Sequence, residues 1–154
     1  MMSHIKLVEV ADRRIYMKDL LLADESEKVI EDYINEGDLY AIHYNQDQVG
    51  ICLFIYPEET TVEIKNMAIQ EAYRGKGLGT QVIQTASQLF CSKGYTDMIV
   101  GTSNSSIANL AFYQKSGFRF HKIYKDFFLR YPDPFYENGI RGIDMVVLHK
   151  ALLP

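Results

Sequence analysis

The sequence is poor in the features that mark several protein classes. Its two cysteines, Cys52 and Cys91, cannot build a multi-bridge framework, and they suit a reduced interior better than a secreted one. No apolar run is long enough to span a bilayer. The stretch from Met1 to Val10 lacks an apolar signal core followed by a small-residue cleavage site. Basic residues are not in excess: 16 Lys and Arg stand against 20 Asp and Glu, for a net charge of −4, so the broad basic footprint of a nucleic-acid binder is missing. No Pro/Ser-rich linker divides the chain, and no repeat-length period recurs. No cluster of His, Cys and Asp has metal-ligand spacing, so no metal is expected. These absences exclude membrane, disulfide-stapled and fibrous classes without naming a function.

What is present is an ordinary globular balance, with 154 residues, 47% of them hydrophobic and 23% charged. One domain over residues 1–154 is expected, placed in the cytoplasm. His4 to Val10 alternates like an opening strand, and Asp12 to Asn35 is helical, broken at Ala23-Asp24-Glu25-Ser26. Ser26 can cap a second helix carrying Val29, Ile30, Tyr33 and Ile34, with Gly37 after it. Leu39 to Tyr44, Val49 to Tyr56 and Thr61 to Ile69 read as strands joined by short polar turns, hence antiparallel. Leu78, Val82, Ile83, Ala86, Leu89 and Phe90 recur at helical spacing, and Gly94 closes that helix. A short strand at Met98 to Gly101, a helix at Ile107 to Ser116, a strand at Phe118 to Phe128 and a last strand at Met145 to Leu148 follow. The central strand–helix–strand unit fits a right-handed crossover between parallel strands. The expected architecture is α/β, a mixed sheet with helices on both faces.

Arg74-Gly75-Lys76-Gly77-Leu78-Gly79 joins the third central strand to the long helix. Glycine inside a helix costs about 1 kcal/mol relative to Ala, so three of them in this short turn ask for a reason. They let backbone N–H groups converge and let a ligand approach the main chain, while the helix that starts there adds free amides and the positive end of its dipole. The result suits phosphate. The Walker loop and the dinucleotide fingerprint both fail on spacing. A tight ligand-free turn is the competing reading.

Three motifs together make the reading specific. The loop matches the R-x-x-G-x-G pattern of the GNAT superfamily, the acyl-CoA-dependent N-acyltransferases. Glu63-Ile64-Lys65-Asn66-Met67-Ala68-Ile69 resembles the strand leading into that loop, and Leu110-Ala111-Phe112-Tyr113-Gln114-Lys115-Ser116-Gly117-Phe118 resembles the family's F-Y-x-K-x-G-F helix end. They cover roughly residues 60 to 120 in the family's order. The chain departs from the family at Ser106, seven residues before Tyr113, where many members carry a cofactor-binding Asn; Asn104 and Asn109 are nearby alternatives.

The resemblance implies a six- to seven-stranded mixed sheet with about four helices. It implies transfer of an acetyl group from acetyl-CoA to a primary amine in a ternary complex; a non-catalytic acyl-CoA sensor with the same fold is the alternative. By resemblance, Arg74, Gly75, Lys76, Gly77, Leu78, Gly79 and Thr80 hold the pyrophosphate, and the backbone at Met67, Ala68 and Ile69 pairs with the pantetheine arm. Tyr113 is the implied general acid for the departing thiolate. Glu63 is either the base or a solvated strand carboxylate, and Glu71 is a weaker base candidate that better fits the opening of the loop. His43, His121, Cys52 and Cys91 read as packing residues. The stretch Tyr131 to Asp144, with Asp133, Glu137, Asp144, Phe135 and Tyr136, either borders the acceptor site and attracts a cationic amine or is a surface loop or dimer contact. The expected partners are an amine acceptor and, as an open possibility, a second copy of the chain, with neither nucleic acid nor membrane.

Overall fold

The alternation at the start of the chain is realised as β1 (Ile5–Glu9). The computed structural model describes residues 4–154; Met1, Met2 and Ser3 of the expected domain lie outside the described residues. A 3₁₀ turn at Arg13–Tyr16 leads into a short helix, α1 (Met17–Leu20). The Ser26 hydroxyl then accepts the Val29 N–H at 3.2 Å and starts α2 (Glu27–Tyr33), the cap its position suggests. Next come β2 (Asp38–Tyr44), β3 (Asp47–Glu58) and β4 (Thr61–Ile69). They are followed by α3 (Leu78–Ser92), β5 (Asp97–Ser103), α4 (Ile107–Lys115), β6 (Arg119–Tyr124), β7 (Tyr136–Glu137), β8 (Ile140–Arg141) and β9 (Met145–Ala151).

Seven strands form one sheet in the order β1-β2-β3-β4-β5-β9-β6, and β7 with β8 forms a separate ribbon. The parallel pair is β4 with β5, joined through α3; the other neighbours in the sheet run antiparallel. The mixed sheet with helices on both faces is therefore the architecture that forms. One face carries a core of Phe54, Ile64, Leu78, Val82, Ile83 and Phe90 under α3. Phe54 and Phe90 meet edge to face with centroids 4.7 Å apart. The other face carries Leu20, Ile30, Ile34, Leu39 and Leu53 under α1 and α2. Each fully buried side chain of this kind contributes about 1.5–3 kcal/mol. Among the described residues no helix is long and apolar enough to cross a membrane.

Two stretches differ from the sequence expectation. The strand anticipated over Phe118 to Phe128 stops at Tyr124, and Asp126 takes a left-handed φ of 63°. Its N–H donates to the Asp144 carboxylate at 2.8 Å, which turns the chain into a 3₁₀ turn at Phe127–Arg130. The loop expected at 131–144 contains the β7–β8 hairpin, turned by Asn138 and Gly139 at φ 55° and 73°. An Asn-Gly pair at positive φ is a standard hairpin signal, and it was legible in the chain.

The feature that positions the site is where β4 and β5 part. Their pairing runs from Thr61 opposite Asp97 to Ile64 opposite Val100 and goes no further. Beyond it β4 continues along β3 to Ile69 opposite Gly50, while β5 continues along β9 to Ser103 opposite Met145. A wedge opens between them. The register of β4 shifts between Ile64 and Asn66, leaving Lys65 as an extra residue. This bulge swaps the faces: Ile64, Met67 and Ile69 face the α3 core, whereas Ala68 joins the core under α1 and α2.

Gly50 keeps the far half of β4 in place. A Cβ there would stand 2.1 Å from the Ala68 carbonyl oxygen. Gly50→Ala must push β3 and β4 apart and is expected to cost about 2–3 kcal/mol. Urea denaturation followed by circular dichroism measures this, and an unchanged midpoint would refute the close approach as a constraint.

Candidate active site

The wedge holds a cavity of about 410 Å³. Ile64, Lys65, Asn66 and Met67 of β4 form one wall, and Val100, Gly101, Thr102 and Ser103 of β5 form the other. Asn109 and Tyr113 of α4 close one end, and the α1–α2 turn with Phe127, Phe128, Tyr131, Phe135 and Glu137 closes the opposite side.

The backbone of β4 presents its free edge to this wedge. The Gln70 N–H donates to the Val49 carbonyl of β3 at 2.8 Å. Amide direction alternates along a strand, so the groups of Met67 and Ile69 point away from β3. The Ile69 carbonyl accordingly accepts from Arg74 Nε at 2.9 Å. From Lys65 to Ile69 the free edge extends roughly 13 Å, from the cavity to the glycine loop.

At the far end of that edge α3 begins without a side-chain cap and without an acidic residue in its first turn. Its N-cap is Gly77 at φ +74°, and Gly75 sits at φ +78°, a conformation that ordinary side chains resist. Gly79 serves a different purpose, because a Cβ there would meet the Phe112 ring of α4 at 2.9 Å. The amides of Leu78, Gly79 and Thr80 are left as free donors at the positive end of a helix, while the Gln81 N–H already bonds the Gly77 carbonyl. Arg74 and Lys76 are exposed beside them, with Lys76 Nζ 5.5 Å from the Tyr73 ring centroid. Such a terminus is suited to an anion.

Tyr113 is 7% exposed, and its ring contacts Phe112 and Phe118 at centroid distances of 5.0 and 5.4 Å. Burial first, and neighbouring Cys52 second, push its phenol well above the usual range. The phenol therefore stays neutral at ordinary pH. Cys52 is fully buried and its thiol is pushed up for the same reason, so it is inert, as its apolar setting in the sequence suggests.

The structure separates Glu63 from Tyr113. Glu63 lines a second cavity of about 430 Å³ with Asp97, His121 and His149. There His149 Nε2 lies 2.7 Å from Asp97 Oδ1, an interaction that holds the Asp97 carboxyl below its ordinary range, and the His121 and His149 rings lie 5.6 Å apart. His43 lies on β2, and Glu71 opens the short 3₁₀ turn before the glycine loop. Asn109 lines the wedge cavity, but Asn104 is engaged elsewhere. Its Oδ1 accepts the N–H groups of Ile143 and Asp144 at 2.8 and 3.0 Å, and its Nδ2 donates to the Arg141 carbonyl at 3.2 Å, which pins the last stretch before β9. Ser106 lines the cavity and donates to Glu137 Oε1 at 2.7 Å, joined by Ser105 at 2.9 Å. Among the described residues no cluster could hold a metal ion.

Several residues of the cavity carried no signal by which sequence reasoning found them. Asp24 accepts from Tyr33 at 2.8 Å, from Tyr131 at 3.0 Å and from the Glu25 N–H at 2.7 Å. Asn66 Nδ2 donates to the Leu20 carbonyl at 2.9 Å and to the Tyr33 oxygen at 3.0 Å. An amide directly between Lys65 and the apolar Met67-Ala68-Ile69 run was the available clue for Asn66. The acidic residues of the turn stood out only as part of the break at Ala23-Asp24-Glu25-Ser26.

Comparison with known proteins follows the same lines. A family model described as an acetyltransferase (GNAT) domain matches residues 35–120. The uncharacterized N-acetyltransferase YvbK of Bacillus subtilis is 39% identical over 134 residues, covering 86% of this chain and 86% of YvbK. A GNAT family acetyltransferase of Elizabethkingia anophelis, solved with acetyl-CoA bound, superposes with a TM-score of 0.89 at 37% identity, covering 98% of this chain and 100% of that one. A Bacillus subtilis acetyltransferase solved in complex with CoA gives a TM-score of 0.85 at 38% identity, covering 97% and 99%.

The setting of Glu63 makes a stability prediction. Burial holds its carboxyl above the ordinary range, opposed by Lys65 and aided by Glu36. The folded chain thus keeps this proton more readily than the unfolded chain, and stability falls as pH rises through the folded-state value. Glu63→Gln removes that loss. It is expected to raise Tm near pH 7, with the gain shrinking as the pH is lowered toward about 4. A Tm difference independent of pH would contradict the assignment.

Proposed function

The chain belongs to the acetyltransferase (GNAT) family, and on that premise we propose that it moves the acetyl group of acetyl-CoA to a primary amine, free or carried on a protein, by direct attack within a ternary complex. The observation that carries this reading is a series of three features along β4: a bare helix terminus, a free strand edge and a cavity containing Tyr113. Acetyl-CoA fits that series. Phosphates suit the amides of Leu78, Gly79 and Thr80 with Arg74 and Lys76 at the rim. An amide-bearing arm suits the strand edge from Ile69 back to Met67. The thioester supplies the activated acyl group. The described chain acts in this reading as one domain.

The protein contributes positioning and proton management. The Met67 N–H, aimed into the wedge, donates to the thioester oxygen as negative charge develops there. The amine nitrogen bonds to the carbonyl carbon, the carbon–sulfur bond breaks, and the Tyr113 phenol gives its proton to the departing sulfur. The proton of the attacking amine leaves through a carboxylate or a water relay. Glu63 serves that role only through a relay, since it lines the neighbouring cavity.

Tyr113→Phe is expected to lower kcat by about 10²-fold while the KM for acetyl-CoA holds, measured as amine-dependent release of free thiol. A kcat within twofold of the parent sinks the acid role. Gly77→Ala forces a Cβ onto a left-handed backbone and is expected to act on the other parameter, raising the Kd for CoA several-fold. Calorimetric titration with CoA measures it; an unchanged Kd counts against the loop as the phosphate site.

A further inference from the structure

The oxyanion role of the Met67 amide depends on where that amide points, and β4 is least supported just before it. Lys65 is an extra residue on the β4 side of the ladder, and pairing with β3 resumes only at Asn66 opposite Leu53. Past Ile64 the strand has also lost β5. Peptide groups on a free edge beside a bulge are loosely oriented unless a side chain fixes them. A donor that stabilises developing charge has to be held within about 0.5 Å of its working position.

Asn66 supplies that hold. It is 4% exposed, and its Nδ2 donates to the Leu20 carbonyl at 2.9 Å and to the Tyr33 oxygen at 3.0 Å. The Leu20 carbonyl only accepts, which sets the orientation of the amide. Oδ1 is left buried with no partner among the described residues, so the side chain is held through its nitrogen alone. Both partners are anchored: Leu20 ends α1 and is fully buried, and Tyr33 ends α2 and is 5% exposed. An apolar side chain at this position would fill the core under α1 and α2 with no orphaned oxygen. What the amide adds is direction.

The bonds continue beyond Tyr33. Its phenol donates to Asp24 Oδ2 at 2.8 Å, and the Tyr131 phenol donates to Asp24 Oδ1 at 3.0 Å. Burial first, and Asp24 next, push both phenols well above their usual range, so each keeps its proton. Tyr33 therefore gives its proton to Asp24 and accepts from Asn66. The bond to a carboxylate is charge-assisted, and it makes the Tyr33 oxygen a stronger acceptor for Asn66. One chain of hydrogen bonds thus runs from the α1–α2 turn to the residue that precedes Met67.

We propose that Asn66, held by Tyr33 and Asp24, is the positioning residue that aims the Met67 N–H at the thioester oxygen. The three act through the backbone of β4 rather than on the substrate. The inference deepens the acetyltransfer reading and rests on it for the role of that amide.

The test is difference infrared spectroscopy of bound acetyl-CoA labelled isotopically at the thioester carbonyl, since a carbonyl that accepts a hydrogen bond absorbs at lower frequency. The parent is expected to lower the band relative to acetyl-CoA in buffer. Asn66→Ala and Tyr33→Phe should lose most of that shift while the Kd for CoA, measured by calorimetry, stays at the parent value. Tyr33→Phe keeps the ring that packs with Leu39, Ile51 and Leu53, so it serves where Asn66→Ala fails to fold. Tyr131→Phe removes a hydroxyl from the same wall but leaves Asn66, Tyr33 and Asp24 joined, and it should keep the shift. A merely structural role would make the two phenylalanine variants alike. A shift that survives in Asn66→Ala and Tyr33→Phe, or that Tyr131→Phe loses equally, overturns the inference. A parent band at the position of free acetyl-CoA instead removes the oxyanion role of the Met67 amide, and the inference falls with that reading.

Discussion

The structure depends on a hydrogen-bond ladder that stops. Between β4 and β5 the pairing ends at Ile64 and Val100, although both strands continue. An unpaired strand edge inside a sheet is costly unless something satisfies its amides. Here each strand keeps its other neighbour, β3 for β4 and β9 for β5, so both stay ordered while they diverge. The bulge at Lys65 adds the turn of alternation that places Asn66 on the face under α1 and α2 and Met67 on the face under α3. Gly50 lets β3 approach closely where β4 has lost its second partner. The cavity, the free edge and the glycine loop are consequences of that one divergence.

The electrostatics divide along the same line. A net charge of −4 is unsuited to attracting a polyanion, yet the start of α3 carries no acid in its first turn and is flanked by Arg74 and Lys76. The acidic residues gather at the other end of β4, around the α1–α2 turn and Glu137. One strand edge thus runs from a locally positive pole to a locally negative one. That polarity favours an anion at the start of α3 and disfavours it at the far end of β4.

Much of the fold was legible in the chain. Period-two alternation marked the strands of the first half, helical spacing marked α3, and Ser26 marked the start of α2. The exceptions have local causes. Asp126 ends β6 early through a backbone bond to Asp144, a partner 18 residues away that no window contains. The β7–β8 hairpin was announced by Asn138-Gly139 but obscured by the prolines and aromatics around it. In the site, the glycine loop and Tyr113 stood out because both lie in short contiguous motifs. Asn104 and Asn109 looked equivalent on paper; only the first is consumed in holding the segment before β9.

The sequence by itself determined the elements, the parallel crossover and the bare, glycine-flanked helix terminus, because those follow from contacts between near neighbours and from backbone freedom at glycine. Tertiary structure decided which side chains share a cavity. Glu63 and Tyr113 lie on motifs of one unit, yet the sheet puts them in different cavities. Asp24, Asn66 and Glu137, spread over more than a hundred residues, line one cavity. The physical reason is that burial, charge crowding and an unanswered acceptor are properties of a site closed by distant segments, and no local pattern encodes them.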